Sequence, residues 1–190
     1  MTYKQKLLMG LLVIGVFGLA LTMVFAPRVK AFDISDAPAA PNFTHHKPNE
    51  WINSAPLTLT HLRGQVVLLD FWTFDCWNCY RSFPWLKSVE KRFADQAFTV
   101  IGVHTPEFEH ERIRVNIVKK VKEFELDHPV MIDNDFSYWR AMDNRYWPTF
   151  YLIDKQGRVR AAYIGETHKA DKRAKAIEKR IVDLLAEQSS

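Results

Sequence analysis

Residues 66–79 read VVLLDFWTFDCWNC, where an apolar run leads directly into the only two cysteines of the 190-residue chain. The first half, 66–72, is nearly continuous in β-branched, aliphatic and aromatic residues, which is typical of a central strand buried on both faces. From Cys76 to about Phe93 the apolar residues recur at helical spacing. The stretch therefore predicts a strand, a turn and a helix that begins at the cysteine pair.

The remaining elements alternate along the chain and predict a layered α/β domain. Strands are expected at 98–104, 129–133, 148–154 and 158–165, and helices at 110–125, 137–143 and about 170–184. The KQG turn between the last two strands indicates a hairpin, so the sheet should be mixed. In open α/β sheets the chemistry collects beyond the carboxyl ends of strands. Cys76 lies just beyond one such end.

The amino-terminal part of the chain has a different composition. After the short tail 1–6, residues 7–26 carry no charge, and as a helix they would span about 30 Å, one bilayer core. This predicts one N-terminal transmembrane helix; a cleaved signal peptide is the alternative, because 29–31 (VKA) resembles a cleavage site. The Pro/Ala-rich stretch 27–49 is predicted to tether a domain at 50–187, which we expect on the exported side of the membrane.

The formal net charge is +4, and much of the excess lies in the last predicted helix. Such a run is typical of a solvated helix face, so we expect no nucleic-acid partner. The sequence contains neither a Walker loop nor a GxGxxG fingerprint. We therefore expect no cofactor.

Two residues separate Cys76 from Cys79, a spacing used by zinc sites, haem attachment sites, structural disulfides and redox-active thiol pairs. Structural zinc needs four ligands, and the His104/His110 pair follows too far along the chain for a zinc finger. Haem attachment requires histidine after the second cysteine, where Tyr80 stands. A CxxC disulfide closes too short a loop to stabilise much. A redox thiol pair remains, with no metal expected.

A helix N-terminus suits the first cysteine of such a pair. Unpaired backbone N–H groups and the helix dipole favour a thiolate at Cys76, the species that attacks a disulfide. Cys79 lies one turn later and would resolve the resulting mixed disulfide. Asp75 opposes thiolate formation, and Arg81 is the candidate to offset its charge.

The stretch 66–79 resembles the active-site strand and turn of thioredoxins, and RYWPTFYLID (145–154) resembles the cis-proline segment of that fold. The extra helix and strand at about 110–133 resemble the TlpA-like, redoxin-related thiol:disulfide oxidoreductases. IGVHTPEFEHE (101–111) and DNDFSYW (133–139) are similar to the thioredoxin-like domain of DipZ-type proteins. The resemblance implies a thioredoxin fold with an inserted helix and strand, in which helices flank a central mixed sheet.

The resemblance also implies roles for individual residues. Cys76 would be the nucleophile and Cys79 the resolving thiol, and the two would form the redox disulfide. Asp70 would be the buried acid that relays protons to the resolving cysteine. Pro148 would be cis, pack against Cys76 and present its backbone to the substrate, and Trp147 would contact the substrate.

Three further residues are candidates with structural alternatives. Trp77 and Asn78 lie between the cysteines and are expected to contact the substrate. Trp77 is expected to be exposed, with simple packing as the alternative, whereas Trp72 is expected in the core. Glu107 falls where TlpA-like proteins often carry a functional acid. The alternative for Glu107 is a solvated helix start, where acidic residues are favourable.

These features predict an exported, membrane-tethered thiol-disulfide oxidoreductase that acts as a reductant on protein thiols and disulfides and receives electrons from a membrane donor protein. A thiol peroxidase is one alternative, since Thr73-x-x-Cys76 echoes the peroxiredoxin turn, although Leu69 stands where that turn expects proline. A copper-delivery protein is another, although such carriers use CxxxC with a distant histidine, one residue more than Cys76 and Cys79 provide.

Overall fold

The computed structural model describes residues 37–188, in which helices and loops cover both faces of a six-stranded sheet. The strands are β1 (Trp51–Ile52), β2 (Val66–Trp72), β3 (Phe98–His104), β4 (Val130–Ile132), β5 (Thr149–Ile153) and β6 (Val159–Ile164). The α-helices are α1 (Trp77–Phe93), α2 (Arg114–Glu123), α3 (Ser137–Ala141) and α4 (Lys172–Ala186), and 3-10 helices span Pro48–Glu50 and Glu109–Arg112.

The sheet is mixed, as the hairpin predicted. Its strand order is β1-β4-β3-β2-β5-β6. β2, β3 and β4 are parallel, and β1, β5 and β6 each run antiparallel to their neighbours. β2 is therefore central, and its carboxyl end carries the turn to the cysteine pair.

The side chains of β2 point alternately to the two faces of the sheet, so the apolar core forms two clusters. Leu68 and Trp72 face α1, α2 and α4. Leu69 and Phe71 face the opposite side, where Tyr138 of α3 and the chain before β2 cover the sheet. Every residue of β2 is buried, and burying one large apolar side chain contributes about 1.5–3 kcal/mol. This burial holds the end of β2 in place.

The domain begins earlier than the sequence predicted. Ala37, Ala40 and Phe43 are buried against the sheet domain, and the Val159 N–H donates to the Pro38 carbonyl over 2.8 Å. The carboxyl-terminal part of the predicted tether 27–49 is therefore packed structure, and the boundary at residue 50 is wrong. Its proline content indicated a tether, but the prolines lie between small and aromatic residues that reach the core.

The membrane anchor predicted at 7–26 lies outside the described residues. Within residues 37–188, no helix is both long enough and apolar enough to cross a membrane.

The inserted region differs in detail from the prediction. Instead of one helix at 110–125, a 3-10 turn (Glu109–Arg112) precedes α2, and Ile113 between them is extended. The side chain of Glu111 accepts hydrogen bonds from the backbone of Glu107 and Phe108. These bonds stabilise the start of the turn, and the extended Ile113 separates the turn from α2.

Candidate active site

The two cysteines lie where β2 gives way to α1, and their sulfur atoms form a disulfide. Cys76 is the N-cap of α1, and its Sγ accepts a hydrogen bond of 3.1 Å from the Cys79 N–H. Cys76 is half-buried, whereas the Cys79 side chain is buried, with 1% of the residue exposed. An incoming thiolate can therefore reach Cys76 and not Cys79.

The segment before β5 lies at the same end of the sheet. β5 is antiparallel to β2 with Thr149 beside Phe71, so the residues that precede β5 lie next to the turn that follows β2. The Trp147–Pro148 peptide is cis, as the resemblance implied, and the Pro148 carbonyl accepts from the Gly165 N–H over 2.8 Å. Trp147 is half-buried.

A shallow groove of about 390 Å³ runs beside Cys76. Trp77 is 65% exposed and stacks on Tyr80 with ring centroids 5.5 Å apart. Asn78 is also exposed, whereas Trp72 is fully buried. The prediction that Trp77 is exposed while Trp72 belongs to the core is therefore confirmed.

Glu111 organises the turn before Cys76. This residue is fully buried, and its Oε1 accepts from the Thr73 hydroxyl (2.5 Å) and the Asp75 N–H (3.0 Å). Its Oε2 accepts from the N–H groups of Glu107 (2.6 Å) and Phe108 (2.7 Å). One carboxylate thus joins the cysteine turn to the loop after β3.

Sequence reasoning selected Glu107 and missed Glu111. The Glu107 side chain is exposed, and its backbone is what contacts the buried carboxylate. Glu107, Glu109 and Glu111 alternate along a segment predicted to be helical, and only the 3-10 turn decides which of them points inward. A capping pattern, with acceptor Glu111 three residues after Phe108, was the available signal.

Asp75, immediately before the nucleophile, pairs with His110. Its Oδ2 lies 2.5 Å from His110 Nε2, and both side chains are about half exposed. Arg81, the partner considered from sequence, instead contacts Glu166 at 3.0 Å. Asp75 therefore contacts a side chain of the loop after β3 and not one of α1.

Asp70 is buried on β2, two residues before Trp72 on the same face. Its Oδ1 has no hydrogen-bond partner among residues 37–188. Burial raises the pKa of Asp70 to about 8, with a smaller contribution from the negative charge of Glu90. At neutral pH the carboxyl group is largely protonated, so it can donate a proton.

His104 and His110, the histidines considered as zinc ligands, have different environments. His104 is buried, and burial lowers its pKa to about 4, partly opposed by Glu111. Its Nε2 lies 3.4 Å from the Thr73 hydroxyl, whereas His110 is exposed and paired with Asp75. The neutral His104 imidazole supports the turn.

One cluster in the described part of the chain could offer three ligands to a metal: His45, Asp133 and Asp135. However, Asp133 already accepts from the backbone N–H groups of Tyr138 and Trp139 (3.0 and 2.8 Å) and contacts His45. These bonds fasten the segment before β1 to the start of α3. The cluster is explained by that structural role.

Residues 37–162 match the AhpC/TSA family. The chain is 40% identical over 119 residues to DipZ of Mycobacterium tuberculosis, a match that covers 61% of this chain but only 17% of DipZ. It is 28% identical over 161 residues to the thiol-disulfide oxidoreductase ResA of Bacillus subtilis, covering 84% of this chain and 85% of ResA. The chain thus spans about a sixth of DipZ and most of ResA.

Among solved structures, a DsbE-type thiol:disulfide interchange protein from Chlorobium tepidum superposes with a TM-score of 0.67 at 24% identity. The superposition covers 79% of this chain and 97% of that protein. The thioredoxin fold is therefore confirmed, and so is the resemblance to redoxin-related proteins.

Proposed function

The chain belongs to the AhpC/TSA family, and we propose that it exchanges disulfides with protein substrates through Cys76 and Cys79. The observation that carries this proposal is the disulfide at the start of α1, with one accessible and one buried sulfur. ResA, which matches over most of its length, is itself named a thiol-disulfide oxidoreductase.

In the reducing direction, the Cys76 thiolate attacks a substrate disulfide, forms a mixed disulfide and releases the first substrate sulfur as a thiolate. Cys79 then loses its proton to the ionised form of the Asp70 carboxyl group, its sulfur bonds to Cys76 Sγ, and the bond between Cys76 and the substrate breaks. The second substrate sulfur leaves with the electron pair. Two electrons have passed from the dithiol to the substrate.

The surroundings of the pair suit these steps. The N-terminus of α1 favours negative charge on Cys76. Trp77, Asn78 and the Trp147–Pro148 segment offer side chains and backbone to a bound substrate segment. Glu107 is exposed on the loop beside the turn and is proposed to assist proton transfer near the substrate.

The test is turnover of insulin disulfides with dithiothreitol as electron donor. Cys76→Ser should abolish turnover, and Cys79→Ser should accumulate a mixed disulfide between Cys76 and the substrate, visible by non-reducing electrophoresis and mass spectrometry. Ser88→Ala, a serine of α1 away from the cysteines, is the control. Full activity of either cysteine variant would reject the mechanism.

The same preparation discriminates a thiol peroxidase. The Thr73 hydroxyl, which the peroxidase alternative would use beside Cys76, donates to Glu111, and this contact favours disulfide exchange. Rapid peroxide consumption without insulin reduction would reverse this assignment. A copper titration without stoichiometric binding would remove the carrier alternative.

The proposal includes a location. The uncharged stretch 7–26 is proposed to anchor the chain in the cell membrane with residues 37–188 on the exported side, where a membrane donor protein would supply electrons. Protease accessibility of the domain in intact spheroplasts, with membrane fractionation, tests this. A domain protected until the membrane is lysed would contradict export.

A further inference from the structure

Three buried polar atoms lie on the face of the sheet that α1 covers, which is also the face that carries Asp70. Asp70 Oδ1, Trp72 Nε1 and His128 Nε2 each lack a hydrogen-bond partner within residues 37–188. All three residues are at least nine-tenths buried. Buried polar groups are usually paired, so three unpaired atoms on one face call for an explanation.

Gly102 leaves open space beside two of these atoms, Trp72 Nε1 and His128 Nε2. It lies beside Asp70 in the parallel register of β2 and β3. A Cβ atom at Gly102 would come within 3.0 Å of Trp72 Nε1 and 3.1 Å of His128 Nε2. A side chain at this position would therefore fill the space between these two atoms and the strand that carries Asp70.

On its other side, the buried His128 borders a cavity that opens to solvent. Its Nδ1 lies 3.1 Å from Glu90 Oε1, and both residues line an open cavity of about 230 Å³, together with Thr99, Val100 and Asp127. If Nδ1–H donates to the Glu90 carboxylate, Nε2 carries a lone pair on the side of Asp70. An imidazole can take a proton at one nitrogen and release one at the other.

We propose that the His128–Glu90 pair carries protons between buried Asp70 and the solvent in this cavity. The inference rests on the proposed function and adds a route to it. Cys79 packs in the same apolar cluster as Leu68 and Trp72, which flank Asp70 on its face of β2. The resolving cysteine and the route thus share one face of the sheet.

The chemistry of the cycle requires such a route. When the enzyme disulfide is reduced, Cys79 leaves as a thiolate and takes a proton from Asp70. Because burial raises the pKa of Asp70 to about 8, the carboxylate then takes a new proton from solvent at neutral pH. It must release that proton before it can accept the proton of Cys79 in the resolving step.

Two ionisable groups reach this face of the sheet from the elements that pack on it. α1 contributes Glu90, and the segment before β4 contributes His128. The neighbouring strands contribute Gly102 of β3 and Phe150 of β5, neither of which ionises. Of these two groups, the imidazole of His128 can shuttle a proton, and Glu90 positions its ring.

The experiment separates the two thiol steps with Ellman's reagent and the full-length reduced protein. Cys76 releases the first nitrobenzoate thiolate, and Cys79 releases the second when it resolves the mixed disulfide. At neutral pH and low buffer concentration, His128→Ala should slow the second release by at least about tenfold and leave the first unchanged. His128→Gln, which keeps more of the volume, should behave alike.

Two readouts distinguish a proton route from a packing effect. Added imidazole should restore the second release in His128→Ala, and the defect should disappear well above the pKa of Asp70, about 8, where the carboxyl group is already ionised. Asp127→Asn, which changes an exposed charge of the same cavity, should behave as wild type. Second release at the wild-type rate in both His128 variants, or slow release that neither imidazole nor alkaline pH restores, would overturn the proposal.

The proposed function fails on a different result. If wild-type protein does not reduce insulin disulfides, or if Cys79→Ser still releases the second thiolate, disulfide exchange through the pair is wrong. The Ellman reaction needs no protein substrate, so its buffer dependence tests the route even if insulin disulfides are not reduced.

Discussion

Glu111 and Asp70 are buried to the same extent, yet their surroundings are opposite. The Glu111 carboxylate accepts from four donors in the turn before Cys76 and the loop after β3. Asp70 Oδ1 accepts from none within the described residues, and burial raises the pKa of Asp70. Hydrogen bonds offset the cost of burying a carboxylate. The region of Glu111 therefore holds the site in shape, while the region of Asp70 is suited to proton transfer.

The largest effect should follow from removing the satisfied carboxylate. Glu111→Ala leaves three backbone N–H groups and the Thr73 hydroxyl without their acceptor, and each unsatisfied buried group costs about 1–3 kcal/mol. We expect the free energy of unfolding to fall by at least about 3 kcal/mol in urea titrations. Glu109→Ala, at an exposed position of the same turn, is the control. A loss below about 1 kcal/mol would show that the four bonds do not hold the turn.

Asp70→Asn should change the pH dependence of stability. The pKa of Asp70 is raised in the folded state, so its stabilisation is complete below the unfolded pKa, near 4, and is lost as pH rises through about 8. Between these values the wild-type free energy of unfolding should fall by up to about 1.4 kcal/mol per pH unit from this group. The variant should lose that slope.

The measurement is urea unfolding of the oxidised protein across this pH range, read as the difference between wild type and variant. The difference removes the contribution of His45, whose pKa is also raised, chiefly by its hydrogen bond to Asp133. Asp127→Asn is the matched control at an exposed carboxylate. If the free energy of unfolding depends on pH in the same way in wild type and Asp70→Asn, the raised pKa of Asp70 is contradicted.

A smaller effect should follow from Glu90→Gln. The negative charge of Glu90 contributes to the raised pKa of Asp70, so its removal should lower that pKa while burial keeps it above the ordinary value. Infrared spectroscopy against pH follows the carboxyl band of Asp70, which is identified by its disappearance in Asp70→Asn. The pH dependence of this band gives the titration midpoint of Asp70. Asp95→Asn should leave the midpoint in place, and an unchanged midpoint in Glu90→Gln would exclude coupling.

The smallest effect is expected at the exposed pair beside Cys76. Asp75→Asn removes a negative charge next to the thiolate, and His110→Gln removes the partner of that charge. Alkylation of the reduced protein by iodoacetamide should become faster in the first variant and slower in the second, each by less than about fivefold because the pair is solvated. If the alkylation rate changes in the same direction in both variants, the pair does not act on Cys76 through its charge.

The fold could be predicted from sequence to a large extent because its central strands are buried on both faces. β2, β3 and β5 are short runs of mostly apolar residues rich in β-branched and aromatic side chains, which is typical of buried strands. The residues around Pro148 resembled a known segment of the thioredoxin fold. The packed segment 37–49 could not be predicted in this way. Its prolines indicated a tether, and burial of Phe43 depends on a groove formed by distant residues.

The site was only partly predictable for a related reason. The redox chemistry could be predicted because it follows from the spacing of Cys76 and Cys79, which is a local feature of the sequence. Glu111 could not be distinguished from Glu107, since the choice depends on the phase of a short 3-10 turn. The pair of His128 and Glu90 joins residues 38 positions apart, and no local pattern connects them.

The packed segment before β1 has a consequence for association between copies of the chain. The Ala40 N–H and the Pro38 carbonyl pair with Gly157 and Val159 beside the start of the edge strand β6. Unpaired edge strands are templates for pairing with other chains. A variant shortened to begin at Glu50 would expose that part of the edge, and it would be more prone to aggregation than the chain that retains residues 37–49.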